Sequence, residues 1–134
     1  MNVVYNKSCE SMAELPDGAV QTCVTSPPYF GLRDYGVEGQ IGLEDTLDAY
    51  VQRLVGVFRE VRRVLRDDGT LWLNLGDSYA GGGGGNYGDG LSVSSDHGQH
   101  ITNVRNRPNW LERNRLKAKD LMGVPWRVAF ALQA

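Results

Sequence analysis

The chain has 134 residues, 41% of them hydrophobic and 22% charged, a length of about one domain and a balance that excludes a wholly disordered protein. No apolar run approaches the roughly 18–20 residues of a membrane helix, Met1–Ser8 lacks the apolar stretch of a secretory leader, and Cys9 and Cys23 are too few for a disulfide scaffold or a metal knuckle, so a cytoplasmic protein is expected. The formal net charge of −2 hides an asymmetry, with 7 Lys and Arg against 14 Asp and Glu in residues 1–100 but 7 against 2 in residues 101–134, which suggests an acidic body and a basic segment suited to an anionic partner.

Asn2–Tyr5 is a short apolar run that predicts a strand. Ser11–Leu15 predicts a brief helix, ended by the turn residues Pro16-Asp17-Gly18. Val20–Thr25 is rich in β-branched residues and predicts a buried strand. It must stop at Ser26-Pro27-Pro28, because proline supplies no ladder donor. Residues 31–42 read as a loop with four glycines, in which Arg33-Asp34 reads as a local ion pair of little energetic worth. Glu44-Asp45-Thr46 offers a helix cap. Leu47, Val51, Leu54, Phe58, Val61 and Leu65 then recur at steps of three and four, predicting a helix over 47–66. Arg53, Arg59, Arg62, Arg63 and Arg66 occupy its other face, gathering toward the negative end of the helix dipole; Arg59–Arg66 read as a solubilising face.

Asp67-Asp68-Gly69 is expected to close that helix, and Thr70–Leu75 predicts a second strand running into Gly76-Asp77-Ser78-Tyr79. A strand, a helix of about twenty residues and a strand make a right-handed βαβ unit with parallel strands. Ligands of open parallel sheets sit beyond the carboxyl ends of the strands. That topology places Ser26–Tyr29 and Gly76-Asp77 at one end of the sheet.

Eight of the 17 glycines fall between Gly81 and Gly98, five of them in the run Gly81–Gly85. This composition predicts a flexible segment. His97 and His100 lie in it without a third ligand nearby and read as solvated, so no metal is expected. Arg105, Arg107, Arg113, Arg115, Lys117 and Lys119 form the basic stretch. Pro125 suits a first helical turn, and Trp126–Gln133 continues as an apolar helix with Arg127 as its only charge. No stop signal follows before Ala134, which reads as a chain cut within an element. The expected organisation is an α/β part over 1–80, a glycine-rich and basic segment over 81–119, and the start of a helix over 120–134.

The residues that carry chemistry are Thr25-Ser26-Pro27-Pro28-Tyr29. Two prolines make a stiff turn that holds the Ser26 hydroxyl and the Pro27 carbonyl in fixed directions, and both accept hydrogen bonds from an NH₂ group. Drawing on both hydrogens of a base amine favours a pyramidal nitrogen, able to attack an electrophilic methyl. Tyr29 offers a ring on which a base removed from its duplex can stack. Such a site works by orientation and preorganised dipoles.

With these residues the sequence resembles the DNA amino-methyltransferases that modify cytosine at N4 or adenine at N6. Thr-Ser-Pro-Pro-Tyr resembles their catalytic motif, and serine in its first variable place leans toward the cytosine branch. Residues 14–20 resemble the lead-in, residues 29–36 and 39–44 the segment after it, residues 69–79 the next strand, and residues 119–127 a later helix start. The resemblance implies a partial Rossmann-like methyltransferase sheet with a βαβ crossover, S-adenosylmethionine as cofactor and double-stranded DNA as partner. It implies that Ser26 and Pro27 orient the target amine, Pro28 stiffens the turn, Tyr29 stacks on the base, and Asp77 lines the same pocket.

Lys7-Ser8-Cys9 stands where many members have Gly-Asp-Cys, making Ser8 a second pocket candidate. The Phe-x-Gly-x-Gly motif that grips the cofactor is not found. Gly81–Gly85 is no substitute, since no periodic helix and no Gly-Lys-Ser/Thr follows it. The reading is therefore the N-terminal catalytic part of such an enzyme, inactive by itself, with the basic stretch over DNA. Two alternatives stand beside it: a non-catalytic remnant that binds DNA through Arg105–Lys119, and a methyltransferase of protein glutamine amides. The second normally has its cofactor glycines ahead of the motif, where this chain has only 25 residues.

Overall fold

The computed structural model describes residues 2–80 and 110–134. Its elements, in chain order, are β1 (Val20–Thr25), α1 (Leu47–Val64), β2 (Leu65–Leu73), α2 (Trp110–Arg113) and α3 (Val124–Gln133). The glycine-rich run, His97, His100, Arg105 and Arg107 lie outside the described residues, as does the side chain of Trp110.

β1 and β2 pair in parallel, and α1 connects them, as the strand–helix–strand order requires. α1 begins at Thr46, whose side chain accepts from the Ala49 N–H at 3.1 Å. This is the N-cap that the acidic-Thr segment forecast. A second free N–H at that end, on Leu47, donates to Asn114 Oδ1 at 2.6 Å, which anchors the chain beyond α2 to the start of α1. The helix buries Leu47, Tyr50, Val51, Leu54, Val57, Phe58 and Val61 in one core with Phe30, Met122, Val124 and Val128. α3 and the inner residues of the sheet (Val20, Cys23, Leu71 and Leu73) pack against this stripe. Partial burial raises the Cys23 thiol pKa above its ordinary value.

Several expectations are corrected. α1 ends at Val64, and β2 starts at Leu65 rather than Thr70. The residues taken as a helix stop, Asp67-Asp68-Gly69, form a bulge inside β2. Val20 pairs with Leu65 and Thr22 with Thr70, so four residues of β2 stand opposite Gln21 alone. Gly69 is required there, since a Cβ on it would lie 2.9 Å from the Arg66 carbonyl oxygen and 3.1 Å from that of Gln21. β1 is only partly buried: Val24 is 77% exposed beside the 65% exposed Trp72. Asn2–Tyr5 forms no strand among the described residues, and Ser11–Leu15 is a turn closed by Leu15 N–H donating to the Met12 carbonyl at 2.9 Å. Asn2–Tyr5 finds no ladder partner there, and five residues before Pro16 are too few to sustain a helix.

The helix arginines do more than solubilise. Arg63 donates to the carbonyls of Met12 and Leu15 at 3.0 and 3.1 Å and pairs with Asp17 at 2.6 Å and Glu60 at 3.0 Å. It thus straps the lead-in segment onto α1. After residue 80 the chain returns antiparallel to itself. Ala80 N–H donates to Asp120 O at 2.7 Å, Lys119 N–H to Ala80 O at 2.6 Å, and Met122 N–H to Ser78 O at 2.9 Å. No helix among the described residues is long and apolar enough to cross a membrane.

Candidate active site

The site grows from the point where β1 runs out of ladder. Asn74 N–H donates to the Thr25 carbonyl at 2.9 Å, and the two prolines then end the pairing. Pro28 keeps its carbonyl satisfied from below, accepting from the Tyr50 hydroxyl at 2.9 Å. Tyr50 is fully buried on α1, and its ring lies 5.3 Å from that of Phe30 at a 36° tilt. Burial, and then the nearby Glu44 carboxylate, push its hydroxyl pKa well above the ordinary phenol range, so it stays a donor. The far side of the turn is closed by Gly31 N–H donating to the Gly42 carbonyl at 2.7 Å. Gly42 has φ +101°, and a Cβ there would sit 2.9 Å from the Tyr29 carbonyl oxygen. Only glycine meets both conditions.

Tyr29 is held at its tip and along its ring. Asn74 Nδ2 donates to its hydroxyl at 3.3 Å, and Ser26 Oγ donates to the same oxygen at a long 3.5 Å. Gly76 abuts the ring so closely that a Cβ would stand 2.9 Å from Cε2 and 3.2 Å from Cδ2. Ser26, Pro27, Pro28 and Tyr29 line one cavity of about 270 Å³ together with Leu32, Arg33 and Tyr35. That is close to the lower bound of roughly 300 Å³ for small-molecule sites. The four motif residues expected to act together thus line one cavity.

The part of the lining formed by Arg33 and Tyr35 is positioned from α1. The Gln40 amide brackets it, Nε2 donating to the Arg33 carbonyl at 2.8 Å and Oε1 accepting from Tyr35 N–H at 2.6 Å. Arg53 holds Gln40 in turn, donating to its carbonyl at 2.9 Å, to the Gly39 carbonyl, and to Glu44 and Glu10 at 3.1 and 2.8 Å. The Arg53 guanidinium, and next the Ser8 hydroxyl, draw the Glu10 carboxyl below its usual range. Asp34 does not turn toward Arg33 as an ion-pair partner; its Oδ1 accepts from Gly36 N–H at 2.7 Å, making a local turn.

Asp77 lies where topology placed it, beyond the carboxyl end of β2. Its Oδ1 accepts from Ser78 N–H at 2.8 Å and from Val124 N–H, at the start of α3, at 3.1 Å. Asp77 does not line the Ser26–Tyr29 cavity but a separate one of about 50 Å³, with Tyr29, Leu32, Gly76 and Met122. Tyr29 and Leu32 form the partition between this cavity and the larger one. Ser8 is exposed and donates to Glu10 at 3.1 Å; it lines neither cavity. Arg113, Arg115, Lys117 and Lys119 are exposed. Arg115 and Lys119 have φ of +54° and +73°, so they also shape the return of the chain.

Sequence reasoning placed Gly76 near the site but missed Tyr50, Asn74, Gly42, Gln40 and Arg53 as individual supports. Tyr50 had a signal, lying three residues after Leu47 and four before Leu54 on the buried stripe. Gln40, Gly42 and Asn74 had none beyond their place in the family-like segments, and Arg53 none beyond its place on the basic face of the helix, since their partners lie across the fold.

A parallel strand–helix–strand unit with a Ser-Pro-Pro-Tyr turn on a cavity at its carboxyl end defines an α/β protein. The chain matches the DNA methylase family over residues 20–128 and belongs to it. It is similar to type II methyltransferase M.XycI of Xanthomonas campestris pv. cyanopsidis, 52% identical over 122 residues, covering 91% of this chain and 38% of that protein. It is 48% identical to type II methyltransferase M.Cfr9I of Citrobacter freundii over 122 residues, again 91% of this chain and 38% of the relative. Type II methyltransferase M.SmaI of Serratia marcescens is 48% identical over 131 residues, 98% of this chain and 42% of that protein. The chain thus spans about two-fifths of the length of these curated relatives. No solved structure matches it.

Proposed function

We propose that the protein carrying this chain is a site-specific DNA methyltransferase that moves a methyl group from S-adenosylmethionine to the exocyclic amine of a base flipped from duplex DNA, cytosine N4 in preference to adenine N6. The observation that carries this is the Ser26–Tyr29 turn on its cavity, in a chain of the DNA methylase family. Ser26 Oγ lies 3.5 Å from the Tyr29 hydroxyl, and its lone pairs can accept from an amine. The Pro27 carbonyl takes the second hydrogen, and Tyr50, through Pro28, keeps the turn from relaxing. Acceptors fixed before the substrate arrives need no reorganisation during reaction. Tyr29, backed by Gly76, stacks on the base.

S-adenosylmethionine supplies the methyl when bound. The cavity beside Asp77, at about 50 Å³, is far below the several hundred Å³ of a site for a molecule of that size. That cavity alone therefore does not hold it, and residues 1–134 alone are expected to give no binding heat with it in calorimetry. The α/β unit reads as part of a Rossmann-like sheet. The type II designation of the relatives supports a restriction–modification setting.

Arg105, Arg107, Arg113, Arg115, Lys117 and Lys119 are assigned to DNA phosphates. The exposure of the last four, and the antiparallel return that brings Lys119–Met122 beside Ser78–Ala80, support this placement near the site. Each phosphate contact removed should lower the salt dependence of DNA binding by about one unit of log–log slope.

The test incubates the full-length protein with duplex DNA and methyl-labelled cofactor and digests the product to nucleosides. N4-methylcytosine is expected. N6-methyladenine refutes the cytosine assignment, and label in a glutamine side chain refutes the DNA assignment. Unchanged transfer by Pro28→Ala and Tyr29→Ala variants refutes the site.

A further inference from the structure

The cavity wall holds a cation that the chemistry above does not use. Arg33 lines the same cavity as the Ser26–Tyr29 turn, beside Leu32 and Tyr35. Its place is set from both sides: Gln40 holds the Arg33 carbonyl and the Tyr35 N–H, and Arg53 of α1 holds Gln40. Among the described residues no carboxylate pairs with the Arg33 guanidinium, in contrast to Arg53, Arg63, Arg66 and Arg127.

We propose that Arg33 reads the pairing edge of the flipped base and is the residue that makes this site choose cytosine, an inference that rests on the function proposed above. An amine held by Ser26 and Pro27 leaves two further positions on a cytosine edge, N3 and O2, which are adjacent and both acceptors. A guanidinium is a planar fork of donors with no acceptor, and it matches two adjacent acceptors at once. Adenine held by its amine offers N1 followed by a carbon-bound hydrogen. One N–H of the fork then faces no acceptor, and an unmade hydrogen bond in a confined site is costly. A bidentate base contact of this kind discriminates by roughly ten- to a hundredfold. Lysine, a single-point donor, does not reproduce it.

The competing use of Arg33 is a phosphate contact, and one experiment separates the two. The full-length protein is first assayed for the methylated nucleoside it produces. Binding is then measured over a salt series for wild type, Arg33→Ala and Arg33→Lys, on one duplex with the target cytosine and one abasic at that position. Thermal melts confirm that the variants fold. The expected result is a ten- to hundredfold loss on the cytosine duplex with both substitutions, no loss on the abasic duplex, and an unchanged salt slope. An equal loss on both duplexes, with the slope reduced by about one and affinity restored by lysine, overturns the inference and leaves the proposed function standing. A wild-type protein that methylates adenine, or no base, overturns the proposed function and this inference with it.

Discussion

Replacing Tyr50 by phenylalanine removes one oxygen atom and tests whether the floor of the site is held as described. The ring stays, with its packing against Phe30 at 5.3 Å. What is lost is the hydrogen bond to the Pro28 carbonyl at 2.9 Å. A net intramolecular hydrogen bond contributes about 0.5–1.5 kcal/mol, and a stranded buried acceptor costs about 1–3 kcal/mol. Pro28 is only partly buried, so water relieves part of the loss and the estimate falls near 1 kcal/mol. For a chain of this size that corresponds to a drop in Tm of roughly 3–5 °C. Urea unfolding followed by circular dichroism should show a lower midpoint at an unchanged slope, the mark of altered stability without altered compactness. Methyl transfer should fall further than stability does, because a turn displaced by a fraction of an ångström no longer presents its acceptors together. A variant as stable as wild type within about 0.3 kcal/mol, with undiminished transfer, refutes the claim that Tyr50 sets the turn.

Gly76→Ala places a methyl 2.9 Å from Cε2 of Tyr29. The half-exposed ring is expected to swing away at small cost in stability, while the single-turnover rate drops roughly ten- to a hundredfold. Arg53→Met keeps the aliphatic stem but releases Gly39, Gln40, Glu10 and Glu44. Stability should fall by about 1–2 kcal/mol, with faster proteolytic cleavage in the Gly36–Gln40 loop as the direct readout. Arg53, Lys7 and Arg63 depress the carboxyls of Glu10, Glu14 and Glu60 in the folded chain. Folded-state values below the unfolded ones mean that this stabilisation is complete above about pH 4.3 and is lost as pH falls through the folded values. Amide-exchange protection over residues 7–18 should therefore be flat through neutral pH and decline below about pH 4; a decline on raising the pH through the neutral range contradicts the assignment.

α1 was legible because its apolar residues repeat with the helix period and Thr46 announces its start. The turn at Ser26–Tyr29 was legible for a different reason: proline forbids the continuation of a strand whatever surrounds it. The start of β2 was not, because Leu65 completes the helical stripe and Asp67-Asp68-Gly69 looks like a stop. Only pairing with β1 shows that the chain is already a strand there. The exposure of Val24 is equally a property of the assembled layers, since a β-branched run reads alike whether one face is covered or two. The arginine straps were invisible for a geometric reason. Arg63 meets partners 46 to 51 residues away, and a helical repeat locates a cation on a face without saying what lies across from it.

The bulge opposite Gln21 is also a counting device. From Thr70 onward every residue of β2 alternates between the two faces of the sheet, so the length of the loop inside the strand decides which face each one takes. As built, the count delivers Asn74 to the Tyr29 hydroxyl and Gly76 to its ring. Deleting one residue among Arg66–Gly69 leaves the ladder free to re-form one step over, with the chemistry of β2 turned inside out. Tolerance to insertion and deletion should thus be low at this bulge, although none of its residues lines the Ser26–Tyr29 cavity.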